Sequence, residues 1–152
     1  MSGKVLKFGK VIGEAGGLVD ETHVSLIIAG QDLDPTDISR RLGSDGTSSH
    51  RAGDPRRRSG TPYKQGLWLL GLQGRAPQSP DELTLQLLAR LPDDQQTWND
   101  LSKQYEVEIR FGVFMSGWNR GFDLSPAVVE RIHRLRATIG FDLYFDAGED
   151  KD

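Results

Sequence analysis

Val107-Glu108-Ile109-Arg110-Phe111-Gly112-Val113-Phe114-Met115 alternates a wholly apolar set of positions with a mostly wetter one. That period of two is the mark of a β-strand with one buried face and one face in contact with water. The closing Phe141-Asp142-Leu143-Tyr144-Phe145 alternates in the same way. Strands separated by helices suggest parallel crossovers with helices on both sides of the sheet, but such strands are apolar throughout. One wet face calls instead for an α+β fold. We therefore expect a two-layer sandwich, a mixed five-stranded sheet with about four helices packed mainly on one face.

Working outward, His23 to Gly30 places Val24, Leu26 and Ile28 on one face, and Leu67 to Leu72 is apolar on both, which puts it centrally in the sheet. Val5 to Ile12 reads as an appended edge strand. Helix starts are explicit. Leu33-Asp34-Pro35 supplies a staple, an N-cap and a proline at the first helical position, with Gly43 as the stop. Ser79-Pro80-Asp81-Glu82 is a capping box ahead of Leu83, Leu87, Leu88 and Leu91. Trp98, Leu101 and Tyr105 mark a shorter helix, and Leu124-Ser125-Pro126 opens a last one with a stripe of Val128, Val129, Ile132, Leu135 and Ile139.

The 152 residues, 36% hydrophobic and 27% charged, fit one domain spanning 1–152 with a substantial core. Three sections stand apart: an N-terminal strand-and-turn extension at 1–21, a long basic loop at 44–66 without hydrophobic periodicity, and an acidic flexible tail at 146–152. Zero Cys excludes disulfides, thiolate zinc sites, iron-sulfur clusters and a cysteine nucleophile. Lys4, Lys7 and Lys10 interrupt the apolar residues of the N-terminus, so no secretion signal is legible, and no run approaches the roughly 20 apolar residues that cross a bilayer. A cytoplasmic protein is expected.

Motifs for chemistry are sparse. His23, His50 and His133 show no HxH, HxxxH or HExxH spacing, so neither a metal nor a cofactor is expected. Asp20, Glu21 and His23 are explained by a solvated turn as well as by a divalent ion. Asp93-Asp94 and Asp32/Asp34 flank helix starts, where capping suffices. No serine lies in a G-x-S-x-G elbow, and no catalytic residue is assigned.

Two loops carry the candidate partner-binding residues. The first is the basic cluster of Arg51, Arg56, Arg57, Arg58 and Lys64, whose guanidinium forks suit carboxylates and phosphates alike. The second is the turn with Trp118, Asn119 and Arg120, a hot-spot composition. Each has a plain alternative: a solvated loop in the first case, and glycine turn geometry before a Ser125-capped helix in the second.

Ser25 to Ile28, Gly30, Asp32-Leu33-Asp34-Pro35, Ile38, Leu42-Gly43, Thr47, Gly53-Asp54, Gly66-Leu67-Trp68, Gly117, Gly121-Phe122, Leu124-Ser125-Pro126 and Phe141-Asp142-Leu143-Tyr144, taken together, resemble the bacterial domain-of-unknown-function family 4279 from about Thr22 to Phe145. The resemblance implies a small bacterial, cytoplasmic α+β protein and carries over no catalytic residue. Residues 1–20 and the loop near Arg56 to Arg58 are longer than that family leads one to expect.

The function expected from these readings is a non-enzymatic protein-interaction domain of immunity or regulatory type, binding another, acidic, protein. The alternative is a nucleic-acid-binding accessory protein using the 51–64 loop, and an uncharacterised enzyme comes third. A net charge of -3 weighs against nucleic acid.

Overall fold

The computed structural model describes residues 17–146 together with the backbone of two short N-terminal strands. In chain order the elements are β1 (Val5–Phe8), β2 (Lys10–Glu14), β3 (Gly17–Leu18), β4 (Glu21–Gly30), α1 (Pro35–Leu42), β5 (Ser48–His50) and β6 (Gly66–Arg75). They continue with α2 (Pro80–Leu88), α3 (Gln95–Gln104), β7 (Glu106–Met115), β8 (Arg120–Gly121), α4 (Pro126–Arg134) and β9 (Thr138–Phe145). The acidic tail expected from position 146 falls, beyond Asp146 itself, outside the described residues.

The main sheet has five strands in the order β5-β6-β4-β7-β9. β4 runs antiparallel to both β6 and β7, β5 antiparallel to β6, and β9 parallel to β7, so the sheet is mixed as the alternation required. One face carries the core. Val24, Leu26 and Ile28 of β4, Trp68 and Leu70 of β6, and Val107, Ile109, Phe111 and Val113 of β7 form one buried cluster with residues of all four helices. Burying each such aliphatic side chain is worth about 1.5–3 kcal/mol. Opposite them, Ser25, Ile27, Glu108 and Arg110 remain half-buried with no helix above.

The helix starts form as their residues dictate. Asp34 accepts from the Thr36 N–H at 3.0 Å, Ser79 from Glu82 at 3.1 Å, and Ser125 from Val128 at 3.4 Å, each with proline next in the helix. Gly43 closes α1 at φ 66, the left-handed conformation that glycine adopts without a Cβ clash. Within α2, the buried Thr84 hydroxyl donates to the Pro80 carbonyl at 2.6 Å, which satisfies a group that would otherwise be costly to bury.

Three expectations need correction. The Val5–Ile12 strand is two strands that pair with each other, and the fifth strand of the sheet is β5 instead; Ser-Ser-His has no apolar pattern because an exposed edge strand is held by its backbone. The 44–66 segment is not irregular throughout, since it contains β5 and a turn closed by an isolated bridge between Pro55 and Pro62. The α4 stripe ends early: Leu135 caps the helix, Arg136 turns at φ 57, and Ile139 belongs to β9. Val129 is 47% exposed, because one residue on from the buried Val128 lies about 100° round the helix.

Several carboxylates hold the loops, and they set the acid response. Asp20 sits below the ordinary aspartate range because Ser116 hydrogen-bonds it, with Arg120 adding to the effect. Asp94 is lowered first by the Thr97 hydroxyl, at 2.8 Å. Burial opposes the shift at Asp34, but the Thr36 N–H and Arg51 outweigh it. A carboxylate lowered in the folded state stabilises it above the unfolded value of about 4, and that stability is lost as pH falls through the lower folded value. Urea midpoints are therefore expected to hold steady from about pH 7 to 5 and to fall progressively below about pH 4; a flat profile there would remove these carboxylates from the account.

Candidate functional site

Between β5 and β6 the basic segment folds back on itself as a short hairpin. Gly53 N–H donates to the Tyr63 carbonyl at 2.8 Å, Tyr63 N–H to Asp54 at 2.9 Å, and Arg56 N–H to Thr61 at 3.1 Å, with Pro55 and Pro62 bridged between them. The turn closes with Gly60 N–H on the Arg56 carbonyl at 2.9 Å, and Gly60 takes φ 68. Arg56, Arg57 and Arg58 stand exposed at this tip.

Side chains brace the hairpin against the sheet edge. The Tyr63 ring stacks on His50 with centroids 3.5 Å apart and planes within 10°. The Arg56 guanidinium lies 5.0 Å over the same ring. At the base, Asp54 accepts from the Arg51 N–H at 2.8 Å, while the Arg51 side chain reaches Asp34 at 2.7 Å. Arg51 thus anchors the hairpin to the start of α1.

A cleft of about 580 Å³ runs along β5, walled by Thr47, Ser48, Ser49 and His50 on one side and by Asp54, Pro55, Arg57 and Tyr63 on the other. Its lining is hydroxyls, one guanidinium, one carboxylate and one imidazole, with the rings of Pro55 and Tyr63. His50 Nδ1 is buried without a hydrogen-bond partner. Leaving such an atom unsatisfied costs about 1–3 kcal/mol unless a bound group or water meets it.

The structure does not bring the two candidate loops together. The hairpin leaves β5 and β6 at the end where Gly66 faces Gly30, on one edge of the sheet. Trp118, Asn119 and Arg120 follow β7 at the other end, where Glu21 faces Phe114. With ten residues in β4, the two lie roughly 30 Å apart along the strands, at opposite corners. Arg120 is engaged within its own turn: its Nη1 donates to the Asn119 carbonyl at 3.2 Å, and its guanidinium covers Gly117. Trp118 is 87% exposed. Lys64 is exposed beside the hairpin.

Sequence reading missed two groups. His50 and Tyr63 stack only because the hairpin folds back, and no spacing signals that. On the uncovered sheet face Arg110 pairs with Glu108 and donates to both oxygens of Asp142 at 3.0 and 3.1 Å. The Glu108 and Asp142 hydrogen bonds hold its pKa above the ordinary arginine value. A Cβ on Gly140 would sit 2.8 Å from Glu108 Oε1, so that glycine admits the ion pair. Period two already puts Glu108 and Arg110 on one face, but not Asp142 beside them. Of the residues weighed as a metal site, Asp20 is taken by Ser116, and Glu21 accepts from His23 at 2.8 Å. Among the described residues no group of three His, Cys, Asp or Glu side chains is placed to hold a metal ion.

No described helix is long and apolar enough to cross a membrane. No curated protein and no solved structure matches the chain. A family model described as Domain of unknown function (DUF4279) matches residues 20–146, which takes in the whole five-stranded sheet, the four helices, the arginine hairpin and its cleft. By that match, over most of its length, the chain belongs to the DUF4279 family.

Proposed function

We propose that this domain is a non-catalytic interaction module that binds an acidic protein partner, seating acidic side chains against Arg56, Arg57 and Arg58 and in the cleft along β5. In this reading it serves a bacterial cytoplasm as an immunity-type or regulatory factor. The observation that carries the proposal is the ordered hairpin, which holds three exposed arginines beside a polar cleft. A surface already ordered loses less conformational entropy on binding than a flexible loop does. Guanidinium forks match carboxylates bidentately.

The arginine row also supports a second reading, a nucleic-acid-binding accessory protein. Tyr63 argues against it, since its ring is already stacked on His50 and in contact with the Arg56 guanidinium, so it is not a free platform for a base. Binding of a fluorescent oligoglutamate peptide and of a random-sequence DNA duplex separates the two. The peptide is expected to bind, and the triple variant R56E/R57E/R58E to weaken it by at least ~10-fold. Reversal of Lys103, on α3, is expected to change nothing. Tighter binding to the duplex, falling steeply with salt, would transfer the function to nucleic acid. Equal peptide binding by wild type and triple variant would refute the proposed surface.

A further inference from the structure

The two edges of the sheet are finished differently. β5 is three residues long and is walled by the arginine hairpin. β9 is eight residues long, pairs with β7 in unbroken register, and carries no proline, lysine or bulge toward its outer side. Phe141 is 49% exposed, Leu143 64% and Phe145 54%, with Ile139 and Tyr144 also open. A long, regular, apolar edge strand offers unpaired N–H and C=O groups to another chain, and proteins ordinarily guard such edges.

We propose that β9 is a homodimerisation edge, where a second copy of this chain adds its own β9 in antiparallel register to make one continuous ten-stranded sheet. The strand is complementary to itself about Phe141. A two-fold axis there sets Phe141 against Phe141, Ile139 against Leu143, and Asp142 against Gly140, with the apolar side chains of both copies on the helix-bearing side. An axis one residue on would set two Asp142 carboxylates face to face, which is unfavourable. Asp142 enters the interface already paired with Arg110 of its own sheet.

The area also suffices. A large aromatic side chain buries about 150–250 Å² in full. Covering the exposed half of Phe141 with Leu143, Ile139 and the rim of Phe145, adding the backbone ladder and doubling by symmetry, approaches about 1,000 Å², the low end of specific interfaces.

The test is sedimentation velocity on the full chain across a concentration series. Wild type is expected to dimerise, and L143K, which places a charge at an exposed position of the edge, to raise the dissociation constant at least ~10-fold with unchanged circular dichroism. Because the chain has no Cys, single cysteines read the register. F141C is expected to form a covalent dimer on mild oxidation and L143C not to, since only residue 141 meets itself across the axis. A wild type that stays monomeric, including one whose β9 amides are protected from exchange by the N-terminal strands, would overturn the proposal. So would a dimer that L143K leaves intact. Neither result bears on peptide binding at the opposite edge, so the two proposals fail separately.

Discussion

Trp68→Ala is expected to lower stability by about 3–5 kcal/mol, a large share of the 5–15 kcal/mol that holds a domain of this size together. Trp68 is fully buried in β6 beneath α1, and its Nε1 donates to the Ser39 hydroxyl at 3.0 Å. The segment between α1 and β5 closes tightly over it: a Cβ on Gly46 would lie 2.8 Å from the Leu69 carbonyl and 3.0 Å from the indole. Truncation therefore leaves a cavity that the backbone cannot collapse into without breaking ladder hydrogen bonds, and the cavity penalty adds to the lost transfer free energy. Ser39→Ala removes only the hydrogen-bond acceptor and is expected to cost about 1 kcal/mol. Urea titration followed by circular dichroism measures both. A Trp68→Ala loss no larger than that of Ser39→Ala would mean that the indole is not what joins α1 to the sheet.

Gly66→Val is expected to cost about 2–3 kcal/mol by overpacking rather than by a cavity. Gly66 faces Gly30 at the end of the β4–β6 ladder, where the chain turns toward α1. A Cβ at 66 would stand 2.7 Å from the Leu33 carbonyl oxygen and 3.1 Å from Leu33 Cβ. These are backbone-fixed atoms, so no rotamer change relieves the clash, and the start of β6 must move away from the Leu33-Asp34-Pro35 helix entry. At Gly121, where nothing lies within 4 Å of an added Cβ, alanine is the control and should leave the urea midpoint unchanged. A Gly66→Val midpoint equal to that of Gly121→Ala would mean that the helix entry is more pliant than its contacts indicate.

Much of the fold was legible in the residues. The caps at Asp34, Ser79, Asp94 and Ser125 lie where the structure has them, because a cap is a bond between neighbours two or three positions apart. The alternation in Val107 to Met115 correctly announced a sheet with one uncovered face. β5 was illegible because its three residues bury almost nothing and are recruited by Leu67 to Leu69 across the ladder. Ile139 was read into α4 because an apolar residue four positions after Leu135 fits a helix period; the left-handed turn at Arg136 ends that pattern.

The candidate site divides the same way. Its arginines were visible as composition, but their standing was not. Arg51 is anchored to Asp34, Arg56 lies on Tyr63, and Arg120 covers its own turn. Arg56, Arg57 and Arg58 are all exposed at the hairpin tip, Arg57 also at the cleft.

By itself, then, the sequence determined the α+β class, the single helix-bearing face and the helix starts, since periodicity and capping act over a few residues and are written in side-chain type. Only the tertiary structure decided which strands became edges, which loops share a surface, and that the arginine hairpin and Trp118 stand at opposite corners. Strand order rests on pairings between distant segments, made largely by backbone groups that every residue except proline carries alike.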